Sequence, residues 1–253
     1  MLELKQLSRS FGGVKALDQL DIDVRKGEIL GLIGPNGSGK STTVNLIAGL
    51  YKPSSGSLTF NGIDLAQRGT HERAALGIAR TFQNIRLFAN LSVWQNVWAA
   101  RVVRDTGWIG LRKRWLSSGR AARDEVQELL AFSGLAGKAD VLAGNLAFGE
   151  QRRLELARAA ASGAELLLLD EPAAGMNAEE IDELDERIRS LRDQGRTILL
   201  IEHHMELVMA VCDRIAVLNF GRKIAEGTPA QVQNNAAVRA AYLGAEAEAE
   251  VTA

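Results

Sequence analysis

Between positions 34 and 42 the chain reads Gly34-Pro35-Asn36-Gly37-Ser38-Gly39-Lys40-Ser41-Thr42, which meets every fixed position of the phosphate-loop pattern G-x-x-x-x-G-K-[ST]. Such a loop works because backbone N–H groups close around phosphate oxygens, and glycine lets the main chain turn and approach that tightly. Lys40 would then bring a point charge to the outer phosphates and Ser41 a hydroxyl to Mg²⁺. The helix expected to begin near Lys40 would aim its positive end at the same anion. The flanks agree: Glu28 to Ile33 is a short apolar run of strand length, and Val44, Leu46, Ile47 and Leu50 recur at helical spacing, so the loop joins a strand to a helix. The segment is a candidate nucleoside triphosphate site.

A second landmark lies downstream, where Leu166-Leu167-Leu168-Leu169 runs into Asp170-Glu171-Pro172. A buried strand delivering two adjacent carboxylates suits phosphoryl chemistry, with Asp170 holding the magnesium ion's water shell and Glu171 polarising an attacking water. Thr197 to Ile201 is a further apolar strand and ends at Glu202-His203-His204. One histidine there could reach a γ-phosphate or be structural. Ile181, Leu184, Ile188 and Leu191 mark a helix between these strands, and alternating strand and helix points to a parallel α/β sheet.

Elsewhere, Leu2 to Leu7 and Ala16 to Val24 alternate apolar and polar residues like half-buried strands, with Phe11-Gly12-Gly13 between them. Phe11 is either a minor core anchor or a ring that stacks on a base. Ser54 to Gly62 spells turn, strand and turn, as in an antiparallel flap, and Ile78 to Phe82 makes a short strand leading to Gln83. From Asn84 to Gly144 helical patterns take over, among them Arg123 to Leu135 with Val126, Leu129, Leu130 and Leu135 on one side. All four tryptophans, Trp94, Trp98, Trp108 and Trp115, fall in the first half of this stretch. Two readings stand: they fill the core, or, with Arg101, Arg104, Arg112 and Arg114, they form a protein-binding surface anchored by an exposed Trp98.

Composition sets the outer limits. In 253 residues, 46% of them hydrophobic, there is material for a substantial core. A net charge of -1 gives no electrostatic case for nucleic acid as a partner. Cys212 is the single cysteine, so no internal disulfide is expected. The first residues do not have the pattern of a signal peptide. Apolar runs such as Leu166 to Leu169 fall far short of the roughly 20 residues that cross a bilayer. A membrane role is therefore expected to come through a partner.

In order, these motifs resemble the ATP-binding subunits of ABC transporters, over about Leu2 to Gly244. The resemblance implies a phosphate-loop NTPase core of α/β class with a mixed sheet, an antiparallel β flap and an inserted helical subdomain. It divides the chain into a core at 1–83 and 162–244 and a helical subdomain at 84–161, and the small, acidic residues 245–253 read as a flexible tail. By residue, it assigns Phe11 to the adenine, Gly34 to Thr42 to the phosphates, and Gln83 to the glutamine loop that also meets the metal. Asp170 and Glu171 become the metal-holding and catalytic carboxylates, and His203 the switch histidine.

Leu146-Ala147-Phe148-Gly149-Glu150 stands where the family has its signature LSGGQ, which contacts ATP held by the opposite subunit. The chain departs from the family at Ala147 and Phe148, which replace a serine and a glycine, and at His204, which stands in place of an aspartate and puts the orientation of His203 in doubt. The stretches Arg80 to Phe88, Leu146 to Arg158, Asp170 to Asn177 and Arg239 to Gly244 look most like the longer ATPase of branched-chain amino acid importers, as does an insertion around Trp108 to Ser118. Such a subunit implies ATP and Mg²⁺, a second ATPase subunit, integral membrane permeases and, indirectly, a periplasmic binding protein. It implies a peripheral position on the cytoplasmic face of the inner membrane. The alternative within the superfamily is a lipid exporter or a soluble, non-transport complex. A GTPase is excluded by its guanine-reading N-K-x-D motif, since no asparagine here is followed by lysine.

Overall fold

A computed structural model of the chain describes residues 1–81, 83–101 and 119–242. The Trp108 to Ser118 insertion, the tail at 245–253, and Phe82, Arg104, Arg112 and Arg114 lie outside the described residues. Two sheets organise the rest. The first is antiparallel, in the order β2-β1-β4-β5, with β1 at Leu2–Phe11, β2 at Val14–Val24, β4 at Ser55–Phe60 and β5 at Ile63–Asp64. Gly12 and Gly13, both at positive φ, make the tight turn that pairs Phe11 with Val14, the geometry that suits the right-handed twist of a hairpin.

The second sheet has the order β10-β9-β3-β8-β7-β6. Its strands are β3 (Ile29–Ile33), β6 (Ile78–Arg80), β7 (Leu166–Asp170), β8 (Thr197–Ile201), β9 (Arg214–Asn219) and β10 (Arg222–Gly227). All neighbours run parallel except β10, which pairs antiparallel with β9 at one edge. The sheet is therefore mixed. Strands β3, β7 and β8 are buried on both faces, which is why they read as unbroken apolar runs.

Alternate side chains along them serve two cores. Leu30, Leu32, Leu166, Leu168, Leu199 and Ile201 face the antiparallel sheet and helix α1 (Lys40–Ala48). Ile29, Ile33, Leu167, Leu169, Ile198 and Leu200 face helices on the other side. The carbonyl end of α1 is caught by the fully buried Arg73 of α2 (Thr70–Leu76), which donates to the carbonyls of Leu46 and Ile47.

A third core joins α3 (Val93–Ala100), α4 (Gly119–Phe132) and α5 (Phe148–Ala161) through Val93, Val97, Val126, Leu130, Leu154 and Ala157. Helix α5 serves two cores, since its Leu156, Ala159 and Ala160 pack with the parallel sheet. The remaining helices are α6 (Ala178–Asp193), α7 (Met205–Val211) and α8 (Pro229–Gln233).

Three details differ from the sequence reading. The strand expected over Ile78 to Phe82 stops at Arg80. The helix expected over Arg123 to Leu135 ends at Phe132, because Gly134 turns left-handed at φ 68° and Leu135 N–H closes onto the Leu130 carbonyl. Trp98 is not an exposed anchor. It is half-buried, stacked on Trp94 at 4.8 Å between ring centroids and packed on the third core. No helix among the described residues is long and apolar enough to cross a membrane.

Candidate active site

The site gathers where parallel strands end. After β3 the chain enters the glycine loop, and at Gly34 (φ 148°) a Cβ would lie 2.1 Å from the Leu218 carbonyl oxygen. At Gly39 (φ 108°) it would lie 2.7 Å from Leu17 Cδ2 and 2.9 Å from the Ala16 carbonyl oxygen. These glycines are required by the two neighbouring hairpins pressing on the loop. Ser38 N–H donates to the Pro35 carbonyl, and the Ser38 carbonyl accepts from Gly221 N–H at 2.9 Å. Asn36, Gly37 and Ser41 are exposed, while Pro35 and Thr42 are half-buried.

Lys40, only 8% exposed, donates to the carbonyls of Gly34 at 2.6 Å and Pro35 at 2.9 Å. Burial pushes its pKa down, against the opposing pull of Glu171 and Asp170. The Ser38 hydroxyl is buried with no hydrogen-bond partner among the described residues. A buried ammonium folded onto its own loop, an orphaned hydroxyl and the open amides of a helix start together fit an oligophosphate.

The carboxylates stand opposite. Asp170 Oδ2 accepts from Arg80 at 2.7 Å, and the Asp170 amide donates to Thr81 Oγ1 at 3.2 Å. Glu171 sits in the left-handed region at φ 49°, its N–H donating to the Ile201 carbonyl at 2.9 Å and its Oε2 accepting from Gln83 Nε2 at 2.8 Å. Holding a non-glycine residue there costs about 1–3 kcal/mol, a strain found at functional sites. His203 Nδ1 lies 3.9 Å from the same Glu171 oxygen.

Three residues at this site escaped the sequence reading as carriers of a role. Glu202, 1% exposed, accepts from Ala173 N–H at 2.8 Å through one oxygen, and from the amides of His203 and His204 at 2.9 and 3.1 Å through the other. It fixes the backbone that presents His203, so the turn is held without an aspartate at position 204. Its sequence signal was a carboxylate directly continuing the apolar strand. Arg80 and the buried Arg152, which donates to the Gln83 carbonyl, had no local signal.

Leu146 to Glu150 lie apart, at the start of α5. Leu146 belongs to the third core. Ala147 is the N-cap and lacks a side-chain acceptor, and its N–H is taken by Glu150 Oε2 at 3.2 Å. The other Glu150 oxygen accepts from Lys138 at 2.6 Å, which holds the carboxyl below its usual pKa. Phe148, 49% exposed, overhangs Gly175, where a Cβ would come within 2.9 Å of the ring. Gly149 is buried, and a Cβ on it would sit 2.0 Å from Glu180 Oε1. Its smallness is already used by α6 of the same chain.

Phe11 ends β1 with its ring edge-on to Tyr51 at 5.1 Å and the Arg9 guanidinium 4.5 Å from its centroid. Among the described residues, no hydrogen bond of Leu146 to Glu150 reaches the glycine loop.

The model of the ABC transporter family matches residues 17–174, which span both the glycine loop and the Asp170-Glu171 pair. The chain belongs to the ABC transporter family. It is an ATP-binding cassette, a member of a family whose ATPase activity is coupled to transport. A second model, described as the branched-chain amino acid ATP-binding cassette transporter, matches residues 222–248.

The cassette is 43% identical to the high-affinity branched-chain amino acid transport ATP-binding protein LivG of Salmonella typhimurium, over 96% of this chain and 98% of the relative. It is 39% identical to BraF of Pseudomonas aeruginosa at the same coverage, and 32% identical to the lipopolysaccharide export protein LptB of Escherichia coli over 96% and 97%. Among solved structures, the ADP conformation of the cassette MJ1267 superposes with a TM-score of 0.84 at 30% identity, covering 96% of this chain and 98% of that one. A dimeric bacterial cassette, MJ0796, gives 0.78 at 25% identity, covering 90% and 99%.

Proposed function

We propose that this cassette hydrolyses ATP to power an importer of branched-chain amino acids. The observation that carries the hydrolytic reading is Glu171, strained into place and held by Gln83 within reach of the charge field of Lys40. The solute class is supported by the match of residues 222–248 and by the names of LivG and BraF. LptB, an export protein, is similar at lower identity, and the C-terminal match favours a branched-chain amino acid as the solute over lipopolysaccharide.

In this reading Lys40 exchanges the carbonyls of Gly34 and Pro35 for the outer phosphates, and the loop from Gly34 to Thr42 closes on the rest through Ser38 and the N–H groups that follow Pro35. Phe11 stacks on the adenine. Ser41, Gln83 and Asp170 would hold Mg²⁺, which would neutralise charge on the phosphates. Glu171 orients and polarises the attacking water, and His203, presented by Glu202, bonds the γ-phosphate. Leu146 to Glu150 serve the nucleotide of a second ATPase subunit. The core at 1–83 and 162–244 carries hydrolysis, and the helical lobe at 84–161 meets permease subunits on the cytoplasmic face of the inner membrane, with a periplasmic binding protein beyond. Deleting the gene in its host should abolish high-affinity uptake of labelled leucine, isoleucine and valine. The wild-type gene should restore it and Glu171→Gln should not. Uptake that survives the deletion overturns the proposal.

A further inference from the structure

The residues proposed to hold the metal stand on separate elements, Ser41 on α1 and Asp170 at the end of β7. Arg80, at the end of β6, links those two elements. One arm of its guanidinium donates to Asp170 Oδ2 at 2.7 Å, and the other donates to Asn45 Oδ1 at 2.6 Å. Asn45 lies one helical turn beyond Ser41, so the two share a face of α1. The Arg80 and Asp170 side chains are 12% and 8% exposed. The guanidinium is planar and fork-shaped, so two acceptors on its arms are held at a set separation. A nearly dry ion pair adds little net stability over apolar packing, and its use is better sought in position. Asp170 Oδ1 makes no hydrogen bond among the described residues and is left for a ligand.

We infer that Arg80 and Asn45 form a strut that sets the distance between the helix carrying Ser41 and the carboxylate of Asp170, and so tunes magnesium-dependent nucleotide binding. Arg80 is a positioning residue here and touches neither ATP nor metal. The inference rests on the reading that Ser41 and Asp170 hold Mg²⁺.

The test uses variants that keep every charge, because removing the guanidinium would alter metal affinity through electrostatics alone. Arg80→Lys keeps the cation but cannot span two acceptors, and Asn45→Ala cuts the strut while leaving the ion pair. ATP affinity of the full chain is measured by fluorescence titration with Mg²⁺ and again with a chelator, alongside the melting temperature without nucleotide. In each variant the gain in affinity that Mg²⁺ brings should shrink about three- to tenfold, with affinity in chelator within about twofold of wild type. The double variant should lose no more than the larger single loss, since both changes cut one link. Equal losses with and without Mg²⁺ would make the pair a mere fold contact and overturn the strut, as would an unchanged Mg²⁺ gain or additive losses. A wild-type chain whose ATP affinity ignores Mg²⁺ would instead overturn the metal reading underneath it.

Discussion

Two helix starts in this chain face opposite tasks and are built on opposite plans. Helix α1 begins inside a glycine loop that wraps its own ligand space, with Lys40 and Ser38 buried and neighbouring hairpins pressed against Gly34 and Gly39. Helix α5 begins on an outward corner, where Ala147 offers no side-chain oxygen, Phe148 stands half exposed, and Gly149 lies against Glu180. Both starts carry the partial positive charge of a helix N-terminus. Only the first is enclosed by its own chain in a way that fits an anion. In the proposed mechanism the first site therefore binds ATP in one chain alone, and the second acts only when another subunit supplies the nucleotide.

That contrast can be broken at several points. The largest effect belongs to Glu171→Gln, which keeps an oxygen for Gln83 but loses the base. Phosphate release by the assembled complex should fall about a thousandfold, with calorimetric ATP affinity of the lone chain preserved. Next, Lys40→Ala should weaken ATP binding about ten- to a hundredfold in the lone chain, and unchanged calorimetric affinity would mean that the loop does not work unaided.

On the other side of the comparison, Trp98→Ala removes the ring stacked on Trp94. It should destabilise the helical lobe by about 2 kcal/mol, read by denaturant melts, and spare ATP binding. A matching loss of ATP affinity would show that the two regions are not separable. The smallest change is Ala147→Ser in a Glu171→Gln background. A serine N-cap should stabilise α5 by about 1 kcal/mol, raising the melting temperature by about 2–4 °C. Sedimentation with and without ATP should show about tenfold tighter ATP-dependent dimerisation. A rise in melting temperature without tighter dimerisation would assign the missing hydroxyl to capping alone.

What could be read from the sequence follows the range of the forces involved. Glycine spacing in the loop, apolar runs in β7 and β8, and paired carboxylates at a strand end are local patterns, and each stands where the pattern put it. The sequence left Trp98 between core and surface because a tryptophan suits both, although the i, i+4 spacing of Trp94 and Trp98 already allowed the two rings to stack on one another. Gly149 illustrates a subtler limit. Its place in the signature match was legible, but the neighbour that lies against it, the Glu180 carboxylate, comes from a helix far along the chain. Arg80, with partners at 45 and 170, and the bond from Glu202 to Ala173 depend on tertiary proximity. No window of sequence contains those contacts.

The left-handed backbone at Glu171 gives the protein a conflict between durability and work. Glycine at that position would relieve the strain and remove the carboxylate in one step. A population selected only for surviving heat would drift toward Glu171→Gly and lose its motor, whereas one selected for growth on scarce nutrient would keep the strained glutamate. In the proposed mechanism, position 171 is thus a place where relief of strain is gained at the expense of turnover.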